Sequence, residues 1–386
     1  MGVVQVQAES SRAAIAPFLA MEVAREANAM QAAGRKIVRL DVGQPQFSAP
    51  QRALEAAAKA IAQDRLGYTE ALGTGALRQA IAHWYGETYG LDIAPQRVII
   101  TTGASGAFTL TFLALFDTGA RVAMAAPGYP PYRHILTALG MQAVPLDAHD
   151  QDNLQLTPAL LQNVSALDGV LVASPTNPTG AMCSRAQLLD LSIAARTAGA
   201  AFICDEIYHG LTYETPATSA LEIDRDAIVI NSFSKFWAMT GWRVGWIVAP
   251  ERLIKPIERL SQNLTVAPPS ISQAAALGAL QARDECLARV EHYARNRALL
   301  LHELPGLGLP LAAAPDGAFY MLLDISRFGD DSVALCETLL HEAGVALTPG
   351  LDFCTARGRS WVRLAYCQPT ETIVAGLEQL SRHFNR

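Results

Sequence analysis

The chain has 386 residues, 51% of them hydrophobic, which exceeds one typical domain and suffices to bury a large core, so one large domain with a smaller companion is expected. A net charge of −6 with no long basic block excludes electrostatic capture of nucleic acid or of an anionic membrane. No basic region followed by an apolar stretch of signal length opens the chain, and polar residues interrupt every apolar run before membrane-span length. Six cysteines with no C-x-x-C pair fit reduced thiols better than disulfides or a zinc site, and a cytoplasmic protein is expected.

The first segments rich in turn residues are Leu40-Asp-Val-Gly-Gln-Pro45, Leu66-Gly-Tyr-Thr69 and Gly73-Thr-Gly75. The glycine pair follows no evident strand and lacks the third glycine of a dinucleotide fingerprint, so a nucleotide loop is rejected there. Between 97 and 249, Val- and Ile-rich runs at 97–101, 121–126, 169–174, 201–206 and 227–232 alternate with helical stretches. Continuous apolar strands separated by helices predict a buried parallel sheet. Its site should lie beyond the carboxyl ends of the strands, where Ser174, Asp205 and Ser232 fall. Residues 147–153 space their acidic groups faintly like a calcium loop but lack its glycine and terminal Glu, so no metal is expected. From 251 to 303 the pattern is helical, broken at Ala267-Pro-Pro-Ser270. A strand-like run at 318–324, a helical 331–343, a strand-like 361–366 and a closing helix after Pro369 predict a separate α+β lobe.

The chemistry concentrates after the run at 227–232. There Asn231-Ser-Phe-Ser-Lys-Phe-Trp237 leads to Arg243. Lys235 sits against Phe236 and Trp237, a setting that disfavours the ammonium and makes a neutral, nucleophilic amine accessible. The Ser232 and Ser234 hydroxyls and the Arg243 fork suit a phosphate. Asp205 ends another strand, where a buried carboxylate needs a cation or donor; without Lys235, a helix cap beside a packed Tyr208 would serve as well. The glycine-rich Thr101-Thr-Gly-Ala-Ser-Gly-Ala-Phe108 joins strand to helix and presents free N–H groups to an anion. Arg363 shares a strand face with Trp361 and Ala365 and also needs a partner.

Ser232-Phe-Ser-Lys together with Gly241-Trp-Arg-Val-Gly245 resembles the attachment signature for pyridoxal 5′-phosphate (PLP) in the class I/II aminotransferases, and the motifs from Gly43 to Arg363 follow that family's order. The resemblance implies an α/β fold of type I: a mostly parallel central sheet flanked by helices, with a smaller α+β domain from the two chain ends. Residues 1–45 would pack with the small domain, 46–275 form the large PLP-binding domain, and 276–386 the C-terminal small domain. Lys235 would form the Schiff base and move the proton from the substrate Cα. Asp205 would hold the proton on the pyridine nitrogen. Ala104, Ser105 and Gly106 would hold the phosphate with Ser232, Ser234 and Arg243, while Asn177 and Tyr208 donate to the phenolic oxygen. Tyr129 would cover the ring face, with Tyr132 as the alternate. Gly43 would admit the substrate and Arg363 grip its α-carboxylate. Tyr68 would cross a homodimer interface to the neighbouring phosphate.

The implied reaction moves an amino group between an L-amino acid and a 2-oxo acid. Gln262 stands where aspartate-type members carry a second arginine, and Ser105 where another subgroup carries a lysine, so neutral or aromatic substrates are expected rather than aspartate. The alternative on the same fold is a PLP-dependent C–S lyase or an aminocyclopropane carboxylate synthase-like lyase. A regulatory protein is disfavoured by the short stretch before Gly43, and an NAD-dependent dehydrogenase by the missing fingerprint. His209 is read as structural.

Overall fold

The chain enters its fold through α1 (Leu19–Ala32) and a two-residue strand, β1 (Val38–Arg39). This computed structural model describes residues 10–63 and 65–384. After α2 (Gln51–Gln63) and α3 (Gly75–Tyr89), strand and helix alternate: β2 (Val98–Thr101), α4 (Gly103–Leu115), β3 (Arg121–Ala126), α5 (Pro130–Ala138), β4 (Gln142–Asp147) and α6 (Pro158–Gln162). Then come β5 (Gly169–Ala173), α7 (Arg185–Thr197), β6 (Ala201–Asp205), β7 (Ile228–Ser232) and β8 (Gly245–Val248).

These strands form one seven-stranded sheet in the order β2-β8-β7-β6-β5-β3-β4. β8 runs antiparallel to both neighbours, and the strands from β7 to β4 pair in parallel. The Val/Ile runs are continuous because successive residues serve opposite faces, both covered. Val98, Ile100, Val170, Val172 and Val229 pack with Leu77, Ile81 and Tyr85 of α3 and with α7. Ile99, Leu171, Ile203, Ile228 and Ile230 turn the other way, onto Phe108 and Phe112 of α4.

Two strands of this sheet lie outside the expected runs. β4 is an edge strand, half exposed and carrying Pro145, so it has neither continuous apolarity nor a full set of ladder donors. β8 is short and begins at a glycine. Across the sheet Thr101, Gly245 and Ser232 fall in one row, since Gly245 pairs with both of the others.

α8 (Glu251–Leu264), α9 (Ser270–Ala279) and α10 (Arg283–Glu303) follow, with the expected proline break between the first two. The last part holds β9 (Tyr320–Asp324), α11 (Ser332–Thr338), β10 (Val345–Ala346), β11 (Thr348–Pro349), β12 (Trp361–Ala365) and α12 (Thr370–Phe384). β11, β12 and β9 make an antiparallel sheet. β10 pairs in parallel with β1, which ties early residues to this lobe.

Candidate active site

β5, β6 and β7 are parallel neighbours in close register, so the segments leaving their C-terminal ends open onto one place. There a cavity of about 290 Å³ is lined by Lys235, Asp205, Tyr208, Asn177, Tyr129, Ala104, Ser105, Ser234, Arg243, Gly43 and Arg363. Residues from the first fifth of the chain to near its end thus meet. Three expected site residues stand off its surface. Gly106 lies in the first turn of α4, and Ser232 is buried, its Oγ 2.8 Å from that of Ser234. Tyr68 is 90% exposed, away from this chain's own cavity.

At the centre, Lys235 Nζ donates to the Gly43 carbonyl at 2.7 Å. Burial pushes its amine down to about 8, with Arg363 and Arg243 adding to the effect and Cys367 and Asp205 opposing it. Asp205 is 3% exposed, and burial pushes its carboxyl up to about 6 against the pull of its donors. Those donors are the Ile207 amide, 3.0 Å from Oδ1, and the Tyr132 hydroxyl on Oδ2. Tyr132 therefore holds the acid, not the ring-covering place for which it was the alternate. Tyr129 lies edge-on to it at 5.2 Å.

One end of the cavity could hold a phosphate. α4 begins there, and the amides of its first turn have no partner within the helix. Gly103, with φ of 73°, passes so close to Arg243 that a Cβ would lie 2.6 Å from Nη2. Arg243, itself at φ 51°, is steadied by Nη1 donating to the Thr240 carbonyl at 2.9 Å. Ser232 Oγ donates to the Val244 carbonyl at 3.0 Å and takes the Ser234 amide at 3.1 Å.

The other end could hold a carboxylate. Arg363 is 3% exposed yet its Nε has no partner. Nη1 donates to Asn177 Oδ1 at 2.9 Å, and Nη2 donates to Thr348 Oγ1 at 3.1 Å and to the Asp41 carbonyl. A buried guanidinium with a spare N–H is poised for an anion.

Gly43 lines the cavity, and a Cβ there would fall 1.7 Å from Tyr320 Oη, so the missing side chain leaves room for that phenol. Tyr320, Phe18 and Met21 line the cavity without having been singled out. Tyr320 looked like one more apolar strand residue, and the other two sit in a segment with no motif. Gln262 is exposed on α8 and does not line this chain's own cavity, so within one chain the substrate argument rests on Ser105 and the cavity wall. His209 is buried between Tyr89 Oη, 2.7 Å from Nδ1, and the Ser174 carbonyl, 3.0 Å from Nε2. Burial pushes its imidazole down to about 4, which keeps it neutral. Among the described residues no group of three or more His, Cys, Asp or Glu is placed to hold a metal, and no helix is long and apolar enough to cross a membrane.

A nucleophilic amine, a buried acid and separate phosphate and carboxylate corners at the C-terminal edge of an α/β sheet fit a PLP enzyme. Residues 35–380 match the aminotransferase class I and II family, and the chain belongs to it. It is 44% identical over 374 residues to a valine–pyruvate aminotransferase of Mycobacterium tuberculosis, with 96% of each chain covered. It is 34% identical over 383 residues to an aspartate/prephenate aminotransferase of Thermus thermophilus, with 97% of each covered. Among solved structures, an aminotransferase from M. tuberculosis matches with a TM-score of 0.96 at 42% identity, covering 98% of this chain and 100% of that one. The aspartate aminotransferase of T. thermophilus with maleate gives 0.92 at 33% identity over the same shares. The protein is an aminotransferase of fold type I and depends on PLP.

Proposed function

We propose that this aminotransferase takes its amino group from a neutral L-amino acid, apolar or aromatic, gives it to a 2-oxo acid, and works as a homodimer in the cytoplasm. The observation that carries the substrate reading is the cavity's set of cations. Lys235, Arg243 and Arg363 line it, and each has a task before a substrate side chain arrives. Phe18, Met21, Phe108, Ile135 and Ile207 supply apolar wall. A second carboxylate among them would lose its hydration without gaining a charge partner, at a cost of about several kcal/mol. The relative at 44% identity is named for valine and pyruvate, which agrees with this reading. The relatives described above are all aminotransferases, which favours transfer over elimination.

PLP supplies an aldehyde that takes up the amino acid's nitrogen and a ring that delocalises the electrons left on Cα. Ala104, Ser105, Gly106, Ser232, Ser234 and Arg243 anchor the phosphate, joined by Tyr68 of the partner subunit. Asp205 holds the proton on the ring nitrogen, and Tyr132 and the Ile207 amide aim that carboxylate. Asn177 and Tyr208 donate to the phenolic oxygen, and Tyr129 covers the ring. Arg363 fixes the substrate carboxylate, which sets the proton on Cα before the Lys235 amine. Lowered toward neutrality by burial, that amine is a competent base. Tyr68 is exposed on the single chain, as a side chain that reaches a partner's site must be. Six buried, unpaired thiols support a reducing compartment.

Steady-state kcat/KM for valine, methionine, phenylalanine and alanine should each exceed that for aspartate with pyruvate as acceptor. A dominant aspartate rate rejects the substrate reading, and pyruvate and ammonia released without any acceptor would favour a lyase.

A further inference from the structure

We propose that Tyr320 is a positioning residue with two separable tasks: its ring braces Arg363, and its hydroxyl aims that of Tyr208. The inference rests on the site reading given above. Tyr320 opens β9 on the same face as Leu322, which pairs with Arg363 of β12, so ring and guanidinium are diagonal neighbours. The ring centroid lies 4.7 Å from the guanidinium carbon, and that of Phe353 lies 4.8 Å from it. Asn177, Thr348 and Asp41 take the N–H groups of the fork; the two rings pack against the cation, where buried cation–π attraction is strong, and so limit how its plane can turn. That plane decides whether a carboxylate meets two N–H groups or one.

The hydroxyl has a different task. Tyr320 Oη stands 2.9 Å from Tyr208 Oη, and burial pushes both phenols well up, so each keeps its proton at neutral pH. When Tyr320 donates to Tyr208, the proton of Tyr208 is left free to point at a ligand in the cavity. Gly43 makes room for this hydroxyl, and its carbonyl takes Lys235. One side chain thus touches the carboxylate clamp, the phenol donor and the resting contact of the amine. For packing alone, phenylalanine would fill the same volume without a buried hydroxyl to satisfy.

The test measures the loaded enzyme's visible absorbance against pH and the binding of 3-phenylpropionate, an unreactive carboxylate. It uses wild type, Tyr320→Phe, Tyr320→Leu, Tyr208→Phe and the double phenylalanine variant. A donor to the cofactor's phenolic oxygen favours its ionised form, so weakening the donor raises the pH midpoint of the absorbance. Tyr320→Phe should raise that midpoint by about half a pH unit, leave 3-phenylpropionate binding within about twofold, and add nothing to Tyr208→Phe. Tyr320→Leu should raise the midpoint equally and weaken 3-phenylpropionate on the order of tenfold. Should the leucine variant not fold, Phe353→Leu removes the second ring and supplies the same comparison. An unmoved midpoint in Tyr320→Phe, or additive shifts in the double variant, overturns the hydroxyl's task. Unchanged carboxylate binding after loss of either ring overturns the ring's task. A wild-type enzyme without a pH-dependent visible band overturns the site reading itself.

Discussion

Replacing Arg363 by lysine keeps the charge and removes the fork. In the structure the guanidinium has three protein acceptors, two aromatic faces and a spare Nε. A lysine ammonium is a point donor on a flexible stem and cannot meet both oxygens of a carboxylate in one plane. The lost contact is one charge-assisted hydrogen bond, about 1.5–3 kcal/mol, which corresponds to roughly a 10- to 100-fold weakening. Because the α-carboxylate is bonded to the reacting Cα and its grip sets the Cα proton before Lys235, the loss should appear in kcat/KM for both the amino acid and the 2-oxo acid, with KM raised and kcat lowered together. Steady-state kinetics of Arg363→Lys checks this, with a primary amine lacking a carboxylate as the control whose parameters should not move. A kcat/KM within twofold of wild type for the amino acid, or an equal loss with the amine, refutes the carboxylate assignment.

Asp205→Asn should abolish transfer and yet stabilise the ligand-free protein. The folded carboxyl is raised from 3.8 to about 6, so the native state loses stability as pH rises from the unfolded value through the folded one, by about 1–3 kcal/mol above pH 6. Thermal unfolding of the ligand-free variant at pH 7.5 should therefore show a higher Tm than wild type, and a lower one contradicts the burial argument. Lys235 is lowered to about 8, so the rate at which PLP loads the ligand-free enzyme should rise with pH through about 8 and level off as the neutral amine fills. A stopped-flow series across pH 6 to 10 reads this, and a flat profile counts against that amine as the nucleophile. Gly43→Ala forces a Cβ onto Tyr320 Oη, and overpacking of this kind costs about 1–3 kcal/mol. A variant with wild-type Tm and Lys235 reactivity would show that the phenol moves aside freely.

How much was legible in the chain depended on how locally each feature is determined. β2, β3, β5, β6 and β7 could be read because both faces of each are covered, which demands unbroken apolar runs. The lysine segment and the α4 entrance could be read because strand, turn and chemistry lie within a few residues of each other. β4 escaped because an edge strand needs no such apolarity. Tyr132 and Tyr320 escaped because their partners, Asp205 and Tyr208, are distant in sequence, and nothing in the residues around a tyrosine tells which acid or phenol it will meet. Gly43 could be picked out as a necessary glycine, but the neighbour that makes it necessary belongs to the far lobe. Gln262 is named by its distance from a proline pair, a guide that does not tell whether its helix faces this chain's own cavity.

The row formed by Thr101, Gly245 and Ser232 has a further consequence. The helix entrance follows the first, the guanidinium that faces it precedes the second, and the serine-lysine stretch begins at the third. If the middle strand docked one position out of step, every side chain on it would turn over, and the three anion-holding groups would no longer converge. A mispaired molecule could bury nearly as much oil-like surface and still be unable to retain its coloured cofactor. Retention of the cofactor is therefore expected to depend on the alignment of these three strands as well as on the lysine itself.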